Sequence, residues 1–144
     1  MGMRLPWIAL VPLLSGCFVP HWETWRPDYT GTVVDSDGRP QASVRVVSCS
    51  VSKWSGLMAP CEGPGEATTG GDGGFHFARV REMNFIIFGE APLPFTVAVA
   101  CAEGGRVAVE RVTEGRAVRL VLAAAPSSTA PGSDLAYAVT RCRP

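Results

Sequence analysis

The chain has 144 residues with 13 basic and 13 acidic side chains, a formal net charge of +0, and five cysteines. Without a basic cluster it lacks the footprint of a nucleic-acid binder, and no polybasic stretch provides electrostatic attachment to a membrane. Its length suits one domain with a real hydrophobic core.

In chain order, Arg4 comes first, then a mostly apolar run from Leu5 to Leu14, then Ser15, Gly16 and Cys17. A cation, a short apolar centre and small residues make up a secretory signal. At about 1.5 Å per helical residue this run spans roughly 15 Å, half of a hydrocarbon core of about 30 Å, and Pro6 and Pro12 weaken a helix further. It is too short for a transmembrane anchor. Leu14-Ser15-Gly16-Cys17 resembles the lipobox of bacterial lipoproteins. The resemblance implies diacylglycerol transfer to the Cys17 thiol, removal of residues 1–16 as a lipoprotein signal peptide, and acylation of the new amino terminus. The lipid bilayer is then a partner through the acyl chains on Cys17, stably so because more than one chain is attached. Phe18 instead of aspartate after that cysteine implies the outer membrane if the cell is Gram-negative. The plainer alternative is a conventional signal with a cysteine placed after it.

If Cys17 carries lipid, Cys49, Cys61, Cys101 and Cys142 remain. In the oxidising compartment reached by export, two disulfides are expected, and four cysteines allow three pairings. The preferred one joins Cys49 with Cys61 across a Gly/Pro-rich excursion and Cys101 with Cys142, pinning the C-terminal segment. Zinc is the rival, but no CxxC spacing occurs and the histidines are only His21 and His76. No metal and no other cofactor is expected.

Residues 17–28 read as the acylated cysteine and a tether without clear period, in which Trp22 and Trp25 either rest at a lipid interface or pack on the domain. From Tyr29 to Val46 a β-branched run leads into the turn Asp35-Ser36-Asp37-Gly38, then Pro40, then a second β-rich run. Thr69 to Phe77 repeats that logic, with Phe75 and Phe77 on one face. Both stretches read as β-hairpins. Gly31, Val33, Asp35, Gly38, Pro40, Val44 and Val46, with Thr69, Asp72, Gly73 and Phe75, resemble the motifs of the carboxypeptidase regulatory-like family. That resemblance, covering about residues 29–124, implies an all-β, transthyretin-like antiparallel β-sandwich.

Farther along, Phe95 to Cys101 alternates, Glu103-Gly104-Gly105 turns, Arg106 to Glu110 returns, and Arg116 to Leu122 alternates again. About seven short strands are expected, and residues 125–144 read as a loop with an extra strand from Leu135 to Cys142, pinned by a disulfide.

Chemistry is sparse. There is no G-x-S-x-G elbow, and His76 projects away from the face of Phe75 and Phe77. The transthyretin-like fold includes a hydrolase ending in Tyr-Arg-Gly-Ser, whereas this chain ends Thr140-Arg141-Cys142-Arg143-Pro144, so no catalysis is expected. Asp35-Ser36-Asp37-Gly38 lacks the third oxygen ligand and the glutamate of a calcium loop. Trp54, Leu57 and Met58, in the insertion from Val51 to Gly65, are the candidate partner-binding residues, alternatively a cap on the core; Met83 to Phe88 is either a buried strand or a second exposed surface. The expected function is a membrane-anchored, non-catalytic interaction module of the cell envelope that binds a protein or glycan through loops. A structural role through sheet edges is the alternative.

Overall fold

The computed structural model describes residues 19–51, 61–86, 95–125 and 134–142. Among these, the strands are β1 (Val19–Arg26), β2 (Tyr29–Val34), β3 (Arg45–Val51), β4 (Glu62–Thr68), β5 (Gly74–Phe77), β6 (Val80–Ile86), β7 (Phe95–Ala102), β8 (Arg106–Arg111), β9 (Val118–Val121) and β10 (Ala123–Ala124). One helix follows, α1 (Asp134–Cys142). The fold is mostly β. Its strands form a five-stranded sheet in the order β10-β8-β7-β3-β4, a three-stranded sheet β5-β2-β9, and a two-stranded ribbon β1-β6.

The two larger sheets pack face to face. From the three-stranded sheet come Tyr29, Val33, Phe75, Phe77, Val118 and Leu120; opposite them lie Val46, Ala98, Ala100 and Ala108. The small alanines on β7 and β8 leave room that the aromatic rings fill, as close packing requires. Tyr29, Phe75 and Phe77 form an aromatic trio with centroids 5.3–6.3 Å apart. Gly31 makes this possible: a Cβ there would lie 2.3 Å from Phe75 Cζ.

The five-stranded sheet is also covered on its other face. Val47, Cys49 and Val51 of β3, Val97 and Val99 of β7 and Val107 of β8 cluster with Tyr137 and Ala138 of α1. The near-continuous apolar run of β7 reflects this burial on both sides. Its two alternating faces belong to different cores.

Several expectations are corrected here. The stretches Tyr29–Val46 and Thr69–Phe77 are not hairpins, because β2 and β5 lie in one sheet and β3 and β4 in the other. Each turn carries the chain from sheet to sheet, and the two turns lock together: Val33 N donates to Gly73 O at 2.9 Å, and Gln41 N donates to Val33 O at 2.9 Å. Gly73, with φ of 72°, sits so tightly that a Cβ would lie 2.6 Å from Val33 O. Turn chemistry reports a reversal of direction, not which strand becomes the partner. The sandwich is not wholly antiparallel either, since β2 and β9 pair in parallel. A parallel partner needs a crossover connection, and here the chain between them passes through the other sheet. There are ten strands among the described residues, not about seven.

The C-terminal segment is a helix, not a strand. Alternating Leu135, Tyr137 and Val139 fits a strand, but the interleaved alanines favour helix, Asp134 stands in the first turn and Arg141 in the last, matching the helix dipole. Residues 19–26, expected within an irregular tether, form β1, which pairs with β6 from Val19↔Ile86 to Arg26↔Val80. At one edge of the five-stranded sheet among the described residues, β4 carries Gly63 at φ of 55° and Pro64.

Candidate functional site

The cysteines are the best-defined chemistry. Cys49 is joined to Cys61 and Cys101 to Cys142. Both bonds lie on the outer face of the five-stranded sheet: Cys49 is buried in the apolar cluster there, and Cys61, Cys101 and Cys142 pack against that cluster. The first closes the stem of the excursion after β3. The second ties the end of α1 to β7.

Cys17, Trp54, Leu57 and Met58 lie outside the described residues. The stems of the excursion are described, however: Val51, where β3 ends, pairs with Phe95, where β7 begins. The end of β3 and the start of β7 therefore lie at the same end of the sheet. Of the apolar run Met83 to Phe88, the stretch up to Ile86 belongs to β6.

The ribbon β1-β6 joins the sandwich where β1 ends. Trp25 O accepts a hydrogen bond from Ser50 Oγ, Arg26 Nε donates to Ala78 O at 3.0 Å, and the Arg26 guanidinium lies 5.3 Å from the Phe77 ring centre. Beneath this junction the Trp25 indole nitrogen and the Tyr29 and Ser48 hydroxyls are buried. Burial pushes the Tyr29 hydroxyl up to about 12, with the Ser48 hydroxyl nearby and the Arg26 charge pulling it back only in part. Farther out on the ribbon, Trp22 stands opposite Met83 and Thr24 opposite Arg81.

His76 is exposed between the buried Phe75 and Phe77, and its ring lies 3.4 Å from the exposed Asp28 carboxylate. A surface pair of this kind orients a loop and offers no enclosed space for a reaction. A shallow cleft of about 260 Å³ is lined by Glu110, Arg111, Thr113, Arg116, Val118 and Arg119. Its Arg111 is committed to structure, 3.5 Å from Asp134 Oδ1 and 4.7 Å from the Phe95 ring centre, bracing α1. The Asp35 carboxylate accepts from Asp37 N at 3.0 Å, Arg39 N at 2.8 Å and Gln41 Nε2 at 3.2 Å, so its oxygens hold a turn. Asp72 does the same for Gly74 N at 2.9 Å. No group of three or more metal-ligating side chains occurs among the described residues.

Among the described residues, then, two disulfides and one exposed apolar pair stand out. Comparison with protein-family models, curated proteins and solved structures finds no match for this chain. The sequence offers Trp22 for a lipid interface and Met83 to Phe88 as an exposed surface, but not that the two residues stand side by side, which only the strand register shows.

Proposed function

We propose that this chain is a lipoprotein of the bacterial cell envelope, anchored through acyl chains on Cys17. Its sandwich, of the transthyretin-like kind found in carboxypeptidase regulatory-like domains, serves as a non-catalytic module that binds a protein or glycan through its loops. One observation carries the reading. The two disulfides use four of the five cysteines, and the one left over is the cysteine of Leu14-Ser15-Gly16-Cys17. Paired cysteines support export to an oxidising compartment, and a single remaining thiol at the end of a signal-like segment is where lipid is attached. The test is the intact mass of protein extracted from membranes. It is expected to begin at Cys17 and to carry acyl chains; residues 1–16 still attached, or an unmodified Cys17, would overturn the reading.

A further inference from the structure

The ribbon β1-β6 has two unlike faces. Side chains alternate along each strand, and the register places Trp22 beside Met83 and Thr24 beside Arg81 on one face, with Glu23 beside Glu82 and His21 on the other. Directly opposed residues have Cβ atoms about 4.5–5.5 Å apart, so Trp22 and Met83 make one continuous patch. They are also the two most exposed large apolar side chains among the described residues, at 64% and 52%. On that face Arg81 and Thr24 are exposed too. On the other face Glu23 is half-buried, and Trp25, two residues on, buries its indole nitrogen where the ribbon meets the sandwich. The carboxylates are therefore set apart from the Trp22 face, which carries an aromatic amphiphile, a flexible thioether and one cation.

We propose that the Trp22/Met83 face of the ribbon lies on the lipid surface, with Trp22 seated at headgroup level and Arg81 toward anionic headgroups. This inference rests on the lipid-anchor reading of Cys17. The position of the ribbon in the chain selects lipid as the occupant. Trp22 lies only five positions after Cys17, a reach of at most about 18 Å even when fully extended. A bilayer is about 40–45 Å thick with its polar regions and about 30 Å without them, which leaves each interface roughly 6 Å deep. Acyl chains at Cys17 thus hold the start of β1 at the membrane and bring Trp22 within reach of the interface, where an indole is favoured. The ribbon acts as a second, weaker contact that sets how the domain stands above the bilayer. Its acidic face and the sandwich remain in water.

The experiment uses the mature acylated protein, its mass confirmed at Cys17, in vesicles of phosphatidylethanolamine and phosphatidylglycerol carrying brominated acyl chains. Bromine quenches indole emission at short range. Wild-type emission is expected to be quenched, and W22F is expected to lose most of that lipid-dependent quenching although Trp25 and Trp54 remain. M83E, an exposed change that leaves folding intact, is expected to reduce quenching of Trp22 and to shift its emission to longer wavelength. Equal quenching in wild type and W22F, with the acyl mass in place, would overturn the inference and leave the anchor standing. Trp22 shielded from aqueous iodide but out of reach of brominated lipid would assign the face to a second copy of the chain and overturn it as well. Protein without acyl chains at Cys17 would overturn the anchor and this inference together.

Discussion

Removing the Cys101–Cys142 bond is expected to release α1 and leave the two-sheet core folded. The bond closes a loop across 41 residues, and loop-closure entropy for such a span corresponds to about 4 kcal/mol. α1 has nine residues, short of the roughly 12–15 at which an isolated helix becomes even marginal in water. Its docking buries Tyr137 and Ala138 on Val97, Val99 and Val107, and one large side chain contributes about 2–3 kcal/mol. Ordering the helix costs about 1–2 kcal/mol of backbone freedom per residue, which helical hydrogen bonds at about 1 kcal/mol each offset in part. Burial alone therefore leaves docking close to balance or unfavourable, and the covalent tie decides it. In the double variant C101A/C142A, which keeps Cys49–Cys61, the amides of Val139 and Thr140 are expected to exchange with solvent almost freely. The amides of Val46 and Ala98, in the centre of the sheet, keep their protection. Exposed Val97 and Val99 then bind a hydrophobic dye that the wild type ignores. Wild-type protection of Val139 and Thr140 in the double variant would refute the reasoning.

Two further outcomes follow from the core. Burial raises Tyr29 from 10.0 to about 12, so its contribution is intact below pH 10 and is lost as pH rises through about 12, on the order of 2 kcal/mol in all. Burial also raises Tyr137, with Arg141 opposing it, so neither of the two tyrosines should ionise at its ordinary pH in native protein. A tyrosinate absorbance step at pH 10 that Y29F abolishes would contradict this. Replacing Gly31 by alanine puts a Cβ 2.3 Å from Phe75 Cζ and 2.7 Å from the backbone oxygen of Val118. Overpacking of this kind costs about 1–3 kcal/mol, read as a lowered denaturation midpoint that F75L recovers in part; an unchanged midpoint in G31A would show that the Phe75 ring moves aside freely there.

Alternation was enough to read β5, β7, β8 and β9, because their apolar residues recur at the period of a strand. The preferred cysteine pairing also matches the structure. What stayed hidden depends on partners distant in sequence. β1 gains its backbone hydrogen bonds from β6 some sixty residues away, and nothing in Val19–Arg26 announces that partner. The assignment of β2 and β3 to different sheets is likewise a tertiary choice, made by the two interlocked turns. Leu135 to Val139 satisfied both periods over too few residues for either to win, and the covered outer sheet face with its bond to Cys142 settles it as helix. The Trp22/Met83 patch exists only through register, so neither residue alone marks it.

The proposed lipid anchor would give the outer edge of the five-stranded sheet a further meaning. Tethering concentrates copies in two dimensions, where any open ladder of amides and carbonyls invites end-to-end growth. β4 interrupts that ladder, because Pro64 has no N–H to offer and Gly63 turns the backbone to positive φ, while Glu66 adds exposed charge. The opposite edge, β10, is two residues long. Both edges of the five-stranded sheet are therefore poor templates for an added strand.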